Sequence, residues 1–170
     1  MEVVMGPDNI REEELRRLMN QHKNDLMRMC CVFLKDQALA EDAVQETFVK
    51  AYKAMDTFRG DSSEKTWLTR IAINTCRTMR RDRWFRLVDR SVALDTLPLS
   101  TAGGEDRALM DAIMSLPYKY REAVLLYYYQ GLTVREMSEA LGVAASTIST
   151  RLKKSRERLR YDLEGGHEHV

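Results

Sequence analysis

Breakers are scarce in this chain, and that scarcity commits it to helix. Three prolines and eight glycines punctuate 170 residues. Between them run stretches rich in Leu, Met, Ala, Glu, Lys and Arg, the residues that lose least on entering a helix. Apolar residues make up 44% of the sequence, enough to bury a core and to exclude a wholly disordered chain. The length allows one domain or two small ones.

Periodicity places the helices. After Gly6-Pro7-Asp8-Asn9, with Asp8 or Asn9 as the expected N-cap, apolar residues recur as Leu15, Leu18, Met19, Leu26, Met29, Cys30, Phe33 and Leu34. Asp36 marks a turn, and a second helix directs Leu39, Ala43, Phe48, Ala51 and Met55 toward a core. Phe58 to Ser63 reads as a loop, and Ser62 or Ser63 can cap a third helix from about Glu64 to about Arg86. That helix begins apolar with Trp67, Leu68, Ile71 and Ala72 and ends cationic. Trp67 is expected in the core. The pattern lapses from about Leu87 to Gly104, which predicts a flexible linker and a domain boundary. A second unit follows. Its first stripe is Leu109, Ile113 and Leu116, and Pro117 suits the first turn of the next helix. Ala123, Val124, Leu126 and Tyr127 form a further stripe, ended by Gly131. The fold class expected is all-α, in two small helical domains.

The closing stretch is the most informative. Thr133, with Glu136 three residues on, forms a capping box for a short helix through Leu141, and Gly142 turns the chain into a last helix reaching Leu163. Met137, Leu141, Val143 and Ile148 stand at the spacing that packs two such helices together, and Ser138 is small where they cross. This is a helix-turn-helix, the arrangement that offers its second helix to the major groove. Ser146, Thr147, Ser149, Thr150 and Lys153 then lead toward base edges, while Arg151, Lys154 and Arg156 have the reach for phosphate or guanine. A plain helical hairpin explains the apolar spacing but leaves that polar leading face without a purpose.

Charge adds a distribution rather than a total. The net charge is +1, yet basic residues gather from Arg77 to Arg90 and from Arg151 to Arg160. Two basic blocks suit a two-site phosphate binder, and equally two solvated helix faces. Cys30, Cys31 and Cys76 are odd in number and lack metal-ligand spacing, so they are expected as buried free thiols in a reducing cytosol. No apolar run approaches the roughly 18–20 residues of a membrane span. No nucleophile with a neighbouring base, acid pair or phosphate-cradling glycine loop suggests catalysis, and neither metal nor cofactor is expected.

Taken in order, these segments resemble the extracytoplasmic-function class of bacterial sigma factors, the compact initiation factors of RNA polymerase. The resemblance runs from about Leu15 to Leu163. It is carried by Ala40-Glu41-Asp42-Ala43-Val44-Gln45-Glu46-Thr47-Phe48, by Phe58-Arg59-Gly60-Asp61-Ser62 leading to Thr66-Trp67-Leu68, by Arg70-Ile71-Ala72-Ile73-Asn74, by Leu116-Pro117 and by the helix-turn-helix. It implies a region 2 bundle over residues 1–87, a linker over 88–104, region 4 over 105–165 and a tail over 166–170. Asp42, Gln45 and Glu46 are implied to dock on the clamp helices of the polymerase's largest subunit, and region 4 on its flap. Arg59, Asp61, Ser62 and Asn74 are implied to capture −10 bases, with Arg77, Arg80 and Arg81 on the strand backbone. The last helix is implied to read the −35 element. Where many relatives carry Pro, Gly and a basic residue, this chain has Ala144, Ser146 and Ser149, so the resemblance implies the docking pose but not the exact base preference. The implied partners are core RNA polymerase, promoter DNA and an anti-sigma factor, often membrane-anchored in this class. The alternatives are a dimeric operator-binding regulator and a protein-interaction module with a vestigial helix-turn-helix.

Overall fold

The computed structural model describes residues 6–85 and 104–165, and every regular element in it is helical. The first half contains α1 (Pro7–Leu34), α2 (Gln37–Ala54), a 3₁₀ turn (Met55–Thr57) and α3 (Glu64–Phe85). The second contains α4 (Gly104–Ser115), α5 (Tyr118–Val124), a π turn (Leu125–Tyr129), α6 (Val134–Leu141) and α7 (Ala145–Leu163). Apart from Gly104, where α4 begins, the linker expected over 88–104 lies outside the described residues, as does the tail over 166–170.

Local chemistry sets the boundaries. Helix α1 starts at Pro7 with Gly6 as N-cap, ahead of the expected Asp8 or Asn9. Proline has no N–H to orphan at a first turn, so the helix absorbs it instead of starting after it. Asp36 caps α2 by accepting the Leu39 N–H at 3.0 Å. Ser63, one of the two candidates, caps α3 by accepting the Thr66 N–H at 3.0 Å. Pro117 is the N-cap of α5, one residue before its first turn.

The first three helices bury Leu26, Phe33, Phe48, Leu68 and Ile73 against one another. Arg17 of α1 pairs with Glu14 and reaches Glu64 at 2.7 Å, tying α1 to the start of α3. Trp67 is half-buried against this core and stacks on Phe58, with ring centroids 4.7 Å apart. The second half buries Ile113, Leu126, Leu132, Met137 and Ile148. Tyr127, expected on its buried stripe, is 39% exposed, and Leu125 is buried instead. The cause is the π turn. The Gln130 N–H bonds to the Leu125 carbonyl five residues back, and the extra residue per turn rotates the following side chains outward.

All three cysteines are free and fully buried. Cys30 and Cys76 face each other across α1 and α3 with sulfurs 3.4 Å apart. The bond to Cys76 and burial hold the Cys30 thiol far above its ordinary range, and burial pushes Cys31 up to about 11. Thiolate is the reactive form, so Cys30 and Cys31 are protected both by burial from reagent and by their raised pKa. Native chain mixed with a thiol-reactive dye at pH 8 is therefore expected to label at the rate of unfolding, with three thiols appearing promptly in denaturant. Prompt labelling of folded chain would contradict the burial.

Candidate nucleic-acid interface

The second half ends in the expected helix-turn-helix. Thr133 Oγ1 accepts the Glu136 N–H at 3.1 Å, and Glu136 accepts the Thr133 N–H at 2.8 Å, completing the capping box of α6. Gly142 ends α6 at φ 66°, ψ 31°, a left-handed conformation that a side chain disfavours. Ser138 Oγ then donates to the Val143 carbonyl at 2.6 Å, binding the turn to the helix before it. Ile148 and Leu152 face inward from α7, so Ser146, Thr147, Ser149, Thr150, Lys153, Lys154 and Arg156 all stand in solvent. Arg156 also contacts the Tyr128 hydroxyl at 3.2 Å. Arg151 is only partly exposed.

Two residues that sequence reasoning passed over complete this face. Ser155 is buried, with Oγ 2.6 Å from the Arg151 carbonyl and 3.2 Å from the Tyr120 carbonyl, so a small hydroxyl lets α7 cross closely over α5. Lys119, at the start of α5, flanks a groove shared with Tyr120, Ser146, Thr147, Thr150, Arg151 and Lys154. Three cations and the hydroxyls of Ser146, Thr147 and Thr150 around one groove suit a phosphate backbone. Lys119 lies well before the motif in sequence, and only folding brings it there.

The first half offers two further surfaces. Arg59 and Asp61 are exposed on the loop before α3, Ser62 is half-buried, and the Phe58–Trp67 stack anchors the base of that loop. Asn74, Arg80 and Arg81 are exposed along α3, whereas Arg77 is half-buried. On α2, Asp42, Gln45 and Glu46 share one solvent face at helical spacing. Val49, 48% exposed, falls one turn further along the same face and places an apolar group on the acidic ridge. Its signal was present in the sequence as helical spacing, but an isolated valine is not informative without the burial of its neighbours.

Comparison with known proteins agrees with this architecture. The Sigma-70 region 2 family model matches residues 18–86, and the Sigma-70 region 4 model matches residues 106–159. The sigma-H factor of Pseudomonas aeruginosa is 31% identical, over 85% of this chain and 82% of that protein. The extracytoplasmic-function (ECF) sigma factor SigW of Bacillus subtilis is also 31% identical, over 86% of this chain and 87% of that one. This chain is an ECF sigma factor of the sigma-70 family. Among solved structures, the sigma factor RpoE of Bartonella quintana, in complex with the anti-sigma factor NepR, matches with a TM-score of 0.73 at 26% identity. It covers 90% of this chain and 96% of that one. Members of the family are non-enzymatic transcription initiation factors. Among the described residues, no helix is long and apolar enough to cross a membrane.

In this sigma factor, region 2 and region 4 meet along a seam. Arg77 Nη1 donates to the Leu141 carbonyl at 3.0 Å, and its Nε lies 3.4 Å from Glu122 Oε1. The other carboxylate oxygen of Glu122 is 3.9 Å from Arg151, so one acid sits between an arginine of the third helix's cationic run and one of the last helix. Glu122 is 3% exposed. Burial pushes its carboxyl above the ordinary range, outweighing the attraction of Arg77, Arg151 and Arg80.

Two outcomes are expected. Gly142→Ala should cost about 1 kcal/mol in denaturant unfolding, because no neighbour blocks a Cβ and the penalty is purely the positive φ. An unchanged midpoint would argue against the left-handed turn. For Glu122, a folded pKa raised above the unfolded one gives stability that is present at acid pH and lost as pH rises through the folded value. Glu122→Gln removes that titration. Urea midpoints of wild type should therefore fall relative to those of the variant as pH rises above the ordinary carboxylate range, and parallel profiles would sink the assignment.

Proposed function

We propose that the chain binds core RNA polymerase through both regions, brings the −35 face of α7 and the −10 elements of region 2 to one promoter, and stabilises the melted −10 strand. The observation that carries this reading is the division of α7. Its inward side is sealed by Ile148, Leu152 and Ser155, and its outward side presents hydroxyls and lysines beside the groove at Lys119. Ser146, Thr147, Ser149, Thr150 and Lys153 are assigned to base edges, and Arg151, Lys154 and Arg156 to phosphate or guanine. Arg59, Asp61, Ser62 and Asn74 capture −10 bases, and Arg77, Arg80 and Arg81 follow the strand. Asp42, Gln45 and Glu46, with Val49 among them, dock on the basic clamp helices of the largest subunit, where opposite charge steers the encounter. Region 4 contacts the flap. No bond is made or broken by this chain, and its place of action is the cytoplasm. The solved relative held by NepR supports an anti-sigma factor as its off-switch.

Run-off transcription on fragmented genomic DNA, with and without the chain, tests the reading. New RNA 5′ ends sharing two upstream elements are expected from purified core polymerase. Absence of new starts with folded chain and active core would overturn it, and tight operator binding without polymerase would then favour a dimeric regulator. Within the assay, Lys154→Ala should weaken all promoters alike and reduce the salt slope by roughly one, as expected for one phosphate left without its lysine. Ser149→Ala should instead change the preference at one base position. A uniform loss from both variants would remove Ser149 from the reading face.

A further inference from the structure

Tyr127, Tyr128 and Tyr129 all stand partly in solvent, although Leu125 and Leu126 just before them are buried. In a continuous α-helix, at about 100° per residue, three successive side chains fan over roughly 200°. One of the three would then turn back toward the core. The π turn holds an extra residue per turn, which narrows that fan and leaves all three rings outside. Single π turns of this kind are frequent at functional sites.

The exposed rings are ordered against one another and against α7. Tyr127 meets Tyr128 edge to face, with centroids 4.9 Å and planes 82° apart. The Tyr128 hydroxyl in turn accepts a hydrogen bond from Arg156 Nη1 at 3.2 Å. As the acceptor it keeps its own O–H, which donates to no other described residue. Arg156 is exposed and continues the stripe of Ser149 and Lys153 along the wet side of α7. It stands about 16 Å beyond the start of that helix at Ala145, taking 1.5 Å per residue. A recognition helix reads bases with its first residues, so a guanidinium this far along meets the sugar-phosphate backbone. We propose that Tyr128 and Arg156 form a phosphate clamp at the outer end of α7, in which the tyrosine hydroxyl fixes the guanidinium and donates its own proton to the same phosphate of the promoter duplex.

The choice of a phenol to hold the arginine has a physical reason. Arg70, Arg135 and Arg151 each face a carboxylate, which orients the guanidinium and also cancels its charge. Tyr128 is neutral, so Arg156 is oriented with its positive charge still available to a phosphate. One donor is engaged by the hydroxyl and the rest of the guanidinium fork remains for the ligand. Holding the side chain before DNA arrives also reduces the ordering that binding must impose. The clamp rests on the promoter reading above, which it extends from α7 to the turn before α6.

Phosphate contacts act on any sequence, so the test needs no known promoter. The full chain is titrated into a fluorescent duplex of mixed sequence, about two helical turns long, over a series of salt concentrations. Tyr128→Phe removes one oxygen from an exposed ring and should leave the urea midpoint unchanged. It should weaken binding about fivefold, the scale of one neutral hydrogen bond, with the salt slope unaltered because no charge is lost. Arg156→Ala should weaken binding further and reduce the slope by roughly one. Arg156→Lys should keep the slope and lose affinity, since a lysine lacks the planar fork. In the Arg156→Ala background, Tyr128→Phe should cost less than it does in wild type, because the two groups share one phosphate. Wild type that fails to bind the duplex at low salt, Tyr128→Phe that binds like wild type, or equal costs in the two backgrounds overturns the clamp. Run-off transcription without new starts, beside duplex binding as expected, would overturn the promoter reading alone.

Discussion

A buried guanidinium organises the centre of this molecule. Arg121, 5% exposed, bonds to the carbonyls of Met114 and Leu116 at the end of α4 and of Phe33 near the end of α1. Helix C-termini leave carbonyls unpaired and carry the negative end of the helix dipole, so a cation there satisfies both. Burial still dominates and holds Arg121 below its ordinary pKa. The charge is tolerated because three helix-end carbonyls accept from its two Nη groups, and the α4–α5 corner and the end of α1 are held in place by the same side chain. Region 4 thus takes its position from a residue that lies outside the polar face of α7.

Around that centre each functional helix divides its labour by side. Helix α7 commits Ile148, Leu152 and Ser155 to packing and turns hydroxyls and cations outward. Helix α2 buries Ala40, Ala43, Val44 and Phe48 and presents Asp42, Gln45 and Glu46 on the opposite side. Helix α3 buries Leu68, Ala72, Ile73 and Cys76 while its basic end lies partly in solvent and partly under region 4. A rigid scaffold with one wet face per helix can present promoter-reading groups without rearranging its core.

What could be read directly was what depends on neighbours in sequence. The capping box at Thr133, the left-handed Gly142, the Asp36 and Ser63 caps and the helical stripes all follow from spacing within a few residues. The Tyr127 stripe failed for a reason of the same scale: a single π turn shifts the register, and no residue in Leu125-Leu126-Tyr127-Tyr128-Tyr129 signals it. The exposed residues of α7 were legible because their helix is amphipathic. Lys119 and Ser155 were not, since their importance comes from a crossing between α5 and α7.

The sequence alone determined that the chain is helical, where its helices run, and that its last two form a helix-turn-helix beside a basic face. Those features are encoded by local propensity, capping and periodicity. Only the tertiary structure decided that Arg77, one of several arginines in a cationic run, lies against Glu122 and Leu141, and that Arg121 is buried between the halves. Charges that look interchangeable along a helix are separated by burial and by partners far away in the chain, and such pairings leave no local pattern to read.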